Sequence, residues 1–342
     1  MKAARLHDHD GNLNLDDVPE PKIEGPHDVV VRVGGAGLCR SDLHLIEGRE
    51  LAGFPPLELP VTLGHETAGW VEAVGSSVTT VRPGDSVVAH PAMTCGVCPG
   101  CRRGEDLYCE QMGLPGLSSD GGFAEYLRTT ERSLLRIDPG LDPADVAPFA
   151  DAGLTVYRSC RKAAATLPRG TRCAVVGVGG LGHIAIQVLR AMCPAEIIAV
   201  DVSEAARRLA EEAGADLVLE GGEGVVERVM AATDGQGVDA VVDLVGEWGV
   251  PAQALAMLRR GGTYYVVGIG GTLNITTWEV ASREITVVGT CIGNYADLTG
   301  MMALATDGKV TCSTRRYRLD DINEAIADLR DGRLAGRGVL VP

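Results

Sequence analysis

From residue 172 to residue 288, short apolar runs alternate with helical stretches, and that alternation leaves this part of the chain very few architectures. The runs are Cys173-Ala174-Val175-Val176, Ile197-Ile198-Ala199-Val200, Leu217-Val218-Leu219, Ala240-Val241-Val242, Tyr264-Tyr265-Val266-Val267 and Ile285-Thr286-Val287-Val288. Between the first two, Leu181, Ile184, Ala185, Val188, Leu189 and Met192 recur at helical spacing, and a further helix is expected from Ser203 to Ala213, closed by Gly214. A strand that is apolar on both faces needs cover on both sides, which successive βα units supply. The pattern therefore predicts an α/β fold, a doubly wound parallel sheet of six strands.

The flanking sequence reads differently. Before about residue 150 the chain carries β-like runs, Val29–Val33, Gly69–Val74 and Gly84–Val88, broken by Gly, Pro and Asp, which predicts a loop-rich antiparallel domain. After about 294 the pattern is mixed, with an amphipathic helix near Asp320–Arg330 placing Ile322, Ala325, Ile326 and Leu329 on one face. With 342 residues, two domains are expected. Thirty-one basic against 46 acidic residues leave a net charge of −15, which repels phosphate backbones and anionic headgroups and argues against nucleic acid and membrane partners. The opening Met1-Lys2-Ala3-Ala4-Arg5-Leu6-His7-Asp8 has no apolar leader stretch, so a cytoplasmic location is expected. Thiols stay reduced there, and the ten cysteines then point to metal or catalysis rather than to disulfides.

Gly177-Val178-Gly179-Gly180-Leu181-Gly182 satisfies G-x-G-x-x-G, and among 45 glycines such a match means little by itself. Its context adds weight, because it follows a predicted strand and opens a predicted helix, where glycines permit a tight turn and close approach of backbone to a pyrophosphate. Asp201 ends the next strand, where a carboxylate can bond an adenosine ribose and repel a 2′-phosphate. NAD is the expected coenzyme, although Arg207 and Arg208 lie close enough in sequence to tolerate some NADP.

Cys95-x2-Cys98-x2-Cys101-x7-Cys109 gathers four thiols on one Gly- and Pro-containing loop. Four thiolates fill a tetrahedral ion and leave no open position, so a structural zinc is expected. Cys160, Cys173, Cys193, Cys291 and Cys312 stand alone in apolar surroundings and read as small buried hydrophobes. A second set is dispersed: Cys39 through His44, then Gly64-His65-Glu66, then Ala150-Asp151-Ala152. Taken singly, His65 reads as an ordinary core or surface histidine and Asp151 as a helix N-cap. Together one Cys, one His and one carboxylate could hold a zinc with its fourth position open.

Taken in this order, these motifs resemble the zinc-dependent alcohol dehydrogenases of the medium-chain dehydrogenase/reductase superfamily over essentially the whole chain. The resemblance implies a GroES-like, β-rich catalytic domain from residues 1–151 and 294–342, a Rossmann coenzyme domain at 152–293, and an active-site cleft at their junction. It implies a catalytic zinc on Cys39, His65 and Asp151, with Glu66 as a nearby or alternative ligand and Asp42 orienting His65, hence two zinc ions per chain. Many relatives carry cysteine where this chain has Asp151. By position, Arg40 and Arg337 become phosphate or nicotinamide-side contacts, Thr155 lies beside the nicotinamide, Leu244 and Val245 lie along the adenine, and Val267 joins the coenzyme contacts.

The implied reaction is reversible hydride transfer between an alcohol and NAD, with Ser41 and His44 relaying the proton. Phe54, Pro91, Ile269 and Ile292 are the implied substrate pocket and suggest an apolar alcohol, aldehyde or ketone. A polyol or sugar dehydrogenase of the same superfamily is the rival, and a non-catalytic zinc- and NAD-binding protein stands further off. Relatives form homodimers or homotetramers, usually through the edge of the coenzyme-domain sheet, here the strand around Ile285–Val288.

Overall fold

The computed structural model describes residues 1–49 and 57–342, which divide into two compact units. The first comprises Met1–Leu154, Asn294–Thr306 and Thr314–Pro342, and the second Thr155–Gly293 with Asp307–Ser313.

In the second unit six strands form one wholly parallel sheet, with spatial order Leu217–Glu220, Glu196–Asp201, Arg172–Val176, Val238–Asp243, Leu258–Val266, Thr286–Gly289. Counted along the chain the order is 3-2-1-4-5-6, and it reverses beside the first strand, the switch point at which such sheets bind nucleotides. The predicted strands are all present. Ser203 begins the helix Glu204–Glu212 as an N-cap, its hydroxyl accepting from Ala206 N at 3.4 Å, and Gly214 follows with φ +89°. The core includes Val176, Ile198, Val200, Val229, Val241 and Tyr264. Burial on both faces accounts for the continuous apolar runs of the inner strands Arg172–Val176, Glu196–Asp201 and Val238–Asp243, whereas the edge strands Leu217–Glu220 and Thr286–Gly289 are partly buried and mostly exposed, respectively.

Among the described residues, the larger sheet of the first unit has seven strands. Asp28–Leu38 is its centre, pairing antiparallel with Glu66–Val74, Tyr126–Thr130 and Arg337–Val341, and Thr314–Arg318 runs parallel to the last of these. Ser86–Ala89 and Leu134–Arg136 extend the other side. The expected C-terminal helix spans Ile322–Arg330 and buries Ile322, Ala325 and Ile326. A smaller antiparallel sheet joins Asn14–Asp17, Lys2–Leu6 and Val61–Thr62.

Two cysteine expectations fail. Cys160, Cys173 and Cys193 are buried, but Cys291 is exposed and Cys312 is partly exposed. Cys291 follows Thr286–Gly289, the last strand of its sheet, where one side carries no neighbour among the described residues. Apolar neighbours in sequence do not bury a residue at a sheet edge.

Candidate active site

Three stretches of the first unit converge. Cys39 leaves the central strand as N-cap of the short helix Arg40–Ile46, and Asp42 closes a capping box by accepting Cys39 N at 2.8 Å. Gly64, at φ +95°, turns the chain before His65; a side chain there would lie 2.5 Å from Phe123 Cδ1. Glu66 opens its strand opposite Gly37, and a Cβ on Gly37 would collide with Glu66 Oε2. Asp151 follows the 3-10 turn Ala147–Ala150.

One ligand atom each from Cys39, His65, Glu66 and Asp151 lies within 4.8 Å of the others. Donors held tetrahedrally at about 2.0–2.3 Å from one ion sit roughly 3.3–3.8 Å apart, which matches the measured separations of Asp151 from Cys39 and His65. Asp151 Oδ2 lies 3.8 Å from Cys39 Sγ and 3.4 Å from His65 Nε2. His65 Nδ1 faces Asp42 Oδ1 at 3.3 Å, leaving Nε2 directed at the cluster. Burial opposes a charge on His65, yet Asp42 and the contact with Asp151 outweigh it and hold the imidazole well above its ordinary value. In the absence of an ion, the cluster thus favours a proton on His65.

Glu66 sits against the cluster but is engaged elsewhere. Arg337 grips its carboxylate with two prongs, Nε to Oε2 at 2.9 Å and Nη2 to Oε1, and Oε1 also accepts Ala152 N at 3.0 Å. Burial pushes the Glu66 carboxyl up, and the adjacent guanidinium pulls it back. The two-pronged contact keeps both groups ionised. The first amide of the helix Ala152–Ala164 is therefore satisfied by Glu66, while Asp151 turns toward Cys39 and His65.

The second cluster is the cysteine loop, where Cys95, Cys98, Cys101 and Cys109 also bring their sulfurs within 4.8 Å of one another. Backbone amides point at these sulfurs: Cys95 N to Cys109 Sγ at 3.3 Å, Cys98 N to Cys95 Sγ and Gln111 N to Cys109 Sγ at 3.4 Å. Amides of Cys101 and Glu110 bring the Cys98 thiol down to about 6, whereas burial lifts Cys101 to about 11. Such a set suits a closed four-thiolate ion.

In the second unit the three fingerprint glycines differ in their surroundings. Gly177 has φ +90°, and a Cβ there would lie 2.6 Å from Val245 Cγ2; a Cβ on Gly182 would strike Gly177 O. Around Gly179 no atom of the described residues beyond its chain neighbours lies within 4 Å of the Cβ position. Tight turn, close packing and open approach are the separate requirements of a pyrophosphate-binding turn. Asp201 accepts Val178 N at 2.6 Å and Ser203 N at 2.8 Å, which holds its carboxylate beside that turn. Arg208 pairs with Glu204 and Arg207 bonds the carbonyls of Asp201 and Val202, so both guanidinium groups are already engaged. Leu244 and Val245 follow the strand Val238–Asp243, where Asp243 Oδ1 accepts Val245 N at 2.8 Å and Gly246 N at 2.9 Å. Val267 is buried, and its amide donates to Asp243 O.

The remaining expectations are scattered. Ser41 Oγ lies 3.6 Å from Cys39 Sγ, His44 is buried, and Arg40 is exposed. Arg337 is 4% exposed and committed to Glu66, a partner that its sequence position does not disclose. Thr155 belongs to the second unit. Pro91 is buried in the first unit; Ile269, half exposed, and Ile292, at φ +51°, belong to the second; Phe54 lies outside the described residues. Sequence reasoning missed Gly37, whose bare backbone makes room for Glu66, and the buried Tyr264–Asp243 hydrogen bond of 2.7 Å.

Residues 25–139 match the family model of the alcohol dehydrogenase GroES-like domain, and residues 180–307 match that of the zinc-binding dehydrogenases. The chain is 36% identical over 349 aligned positions to an NAD-dependent alcohol dehydrogenase of Sulfurisphaera tokodaii, covering all of both chains. It is 34% identical to a D-arabinose 1-dehydrogenase (NADP(+)) of Saccharolobus solfataricus, covering 100% of this chain and 97% of that one. The crystal structure of the alcohol dehydrogenase of Aeropyrum pernix superposes with a TM-score of 0.97 at 44% identity, with both chains covered completely.

Proposed function

The chain belongs to the zinc-binding alcohol dehydrogenase family, and from that premise we propose that it is a zinc-dependent enzyme interconverting a small alcohol and its aldehyde or ketone with NAD. The observation that carries this reading is the Cys39–His65–Asp151 cluster: its three donors can hold an ion while Glu66, the fourth neighbour, is bound to Arg337, so that one coordination position is left for substrate. When bound, zinc supplies Lewis acidity at an oxygen and NAD accepts hydride. The protein's own part is to orient His65 through Asp42, to keep Glu66 charged but occupied, and to pass the substrate proton outward by Ser41 and His44.

The four-cysteine loop is proposed to hold a second, structural zinc, making two per chain. Gly177, Gly179, Gly180, Leu181 and Gly182 would receive the pyrophosphate, and Asp201 would select NAD. Arg40, Thr155, Leu244, Val245, Val267 and Arg337 are proposed coenzyme contacts, and Phe54, Pro91, Ile269 and Ile292 the substrate pocket, by their positions in the family pattern. A homodimer or homotetramer is supported by the outer edge of Thr286–Gly289 and by Trp278 and Val287 nearby in sequence, which are 77% and 38% exposed.

The test is an assay of NADH or NADPH formation across primary, secondary and polyol alcohols and aldoses with NAD and NADP. Turnover of a simple alcohol with NAD is expected. Faster turnover of an aldose would move the substrate class to sugars, and turnover unaffected by removal of metal would overturn the zinc reading.

A further inference from the structure

His183 follows the last fingerprint glycine, and only 1% of its surface is exposed. A buried imidazole requires partners for its ring nitrogens. Nδ1 lies 2.8 Å from Gly179 O, and Nε2 accepts the Ser313 amide at 3.1 Å. A backbone amide can only donate, so Nε2 carries no proton; the proton resides on Nδ1, which donates to the Gly179 carbonyl. That carbonyl belongs to the peptide joining Gly179 to Gly180. In a trans peptide C=O and N–H point in opposite directions, so anchoring the Gly179 carbonyl on His183 turns the Gly180 N–H away from the ring. One turn along the helix Gly182–Met192, Gln187 Oε1 accepts Thr311 N and Gln187 Nε2 donates to Thr311 O, both at 2.9 Å. The segment that supplies Ser313 is thereby fixed to the same helix.

We propose that His183 is a positioning residue for the dinucleotide: the Ser313 amide selects its tautomer, and its Nδ1–H draws back the Gly179 carbonyl so that the Gly180 N–H faces the pyrophosphate. The inference rests on the coenzyme reading above. A free Gly179 peptide could swing its oxygen toward the phosphates and oppose their charge, and holding that peptide beforehand spares the ligand the cost of ordering it. An aliphatic side chain at residue 183 would fill the same space without doing this.

Three variants separate the two bonds. His183→Asn keeps a donor near the Nδ1 position and loses the acceptor for Ser313; His183→Gln keeps an acceptor near the Nε2 position and loses the link to Gly179; His183→Leu loses both. Gln187→Leu is the control, because it cuts the contacts to Thr311 and the Nε2 bond to the His183 carbonyl while removing neither partner of the His183 ring nitrogens. NAD is titrated calorimetrically into each full-length protein, with thermal unfolding and steady-state kinetics measured alongside. His183→Leu and His183→Gln should bind NAD roughly threefold to tenfold more weakly, about one net hydrogen bond, and His183→Asn within about twofold of wild type. The KM for NAD should rise in step while kcat and the KM for alcohol hold. Gln187→Leu should unfold earlier yet bind NAD normally. Wild-type affinity in His183→Leu and His183→Gln, or affinities that simply follow the unfolding midpoints with Gln187→Leu included, would overturn the role. A wild-type protein that bound neither NAD nor NADP would count against the coenzyme reading itself and remove this role with it.

Discussion

Glu66 and Arg337, 271 residues apart in sequence, form a buried two-pronged ion pair whose carboxylate lies against the bare backbone of Gly37. Removing one partner leaves the other charge buried without compensation, which typically costs about 3–5 kcal/mol. Arg337→Leu is therefore expected to lower stability by about that amount in urea unfolding, and Glu66→Gln by less, since an amide oxygen can still accept Ala152 N. Gly37→Ala should resemble Arg337→Leu, because its methyl group displaces Glu66. Unfolding free energies within error of wild type for both would show the pair to be dispensable.

Asp151 offers a sharper separation of metal binding from stability. Its neighbour Glu66 already accepts Ala152 N, so the helix loses little at its first amide when Asp151 is changed. Asp151→Asn is expected to lose most of the catalytic zinc and turnover with little movement in melting temperature, and Asp151→Cys to retain zinc through a thiolate. Elemental analysis beside calorimetry decides the matter; full zinc content and normal turnover in Asp151→Asn would exclude it as a ligand.

The two clusters share no residue, so they should empty independently. Protein purified without chelator should carry about two zinc ions per chain. Cys95→Ser should reduce that by one and lower folding yield, whereas His65→Ala should leave a folded protein that binds NAD and is inactive. A metal content unchanged by Cys95→Ser would refute a site on the cysteine loop.

His65 is expected to make zinc uptake dependent on pH. In metal-free protein its imidazole is held well above the ordinary 6.5, with burial resisting the charge and Asp42 and Asp151 favouring it more strongly. A raised folded-state value means the proton stabilises the metal-free fold fully below about 6.5, and that contribution is lost as pH rises through the folded value. Zinc competes with the same proton, so its affinity should increase with pH across that window and each ion bound should release protons. Chelator competition at stepped pH measures this. Asp42→Asn should shift the rise in affinity to lower pH.

Asp201 should govern coenzyme choice. Replacement by Ala removes its bonds to Val178 N and Ser203 N along with the charge that opposes a 2′-phosphate. NAD should bind more weakly and NADP relatively better, read as the ratio of kcat/KM values. A wild type that already prefers NADP at equal low concentrations would refute the assignment.

Legibility followed the distance over which each feature is determined. The glycine turn, the four-cysteine loop and the six apolar strands are written in short windows, because periodicity, a required φ or a ligand span constrains neighbouring residues directly. Cys39, His65 and Asp151 are scattered, and only their order within a family pattern linked them. Nothing near Arg337 discloses Glu66, and nothing near His183 discloses Ser313, 130 residues onward. Cys291 misled because its apolar neighbours lie beside an exposed sheet edge, where burial depends on which strand comes last.

The central strand Asp28–Leu38 has Arg337–Val341 as one of its partners, so the first sheet closes on a strand synthesised long after its centre. At about 5–20 residues per second, a ribosome that has made Glu66 needs roughly 15–50 s more to reach Arg337. During that interval the six strands of the second unit are made and can condense, while the nascent first unit holds Glu66 without its guanidinium and lacks the strands Thr314–Arg318 and Arg337–Val341. Synthesis thus imposes an order of maturation in which the Glu66–Arg337 pair closes only after the strands of the second unit have been made.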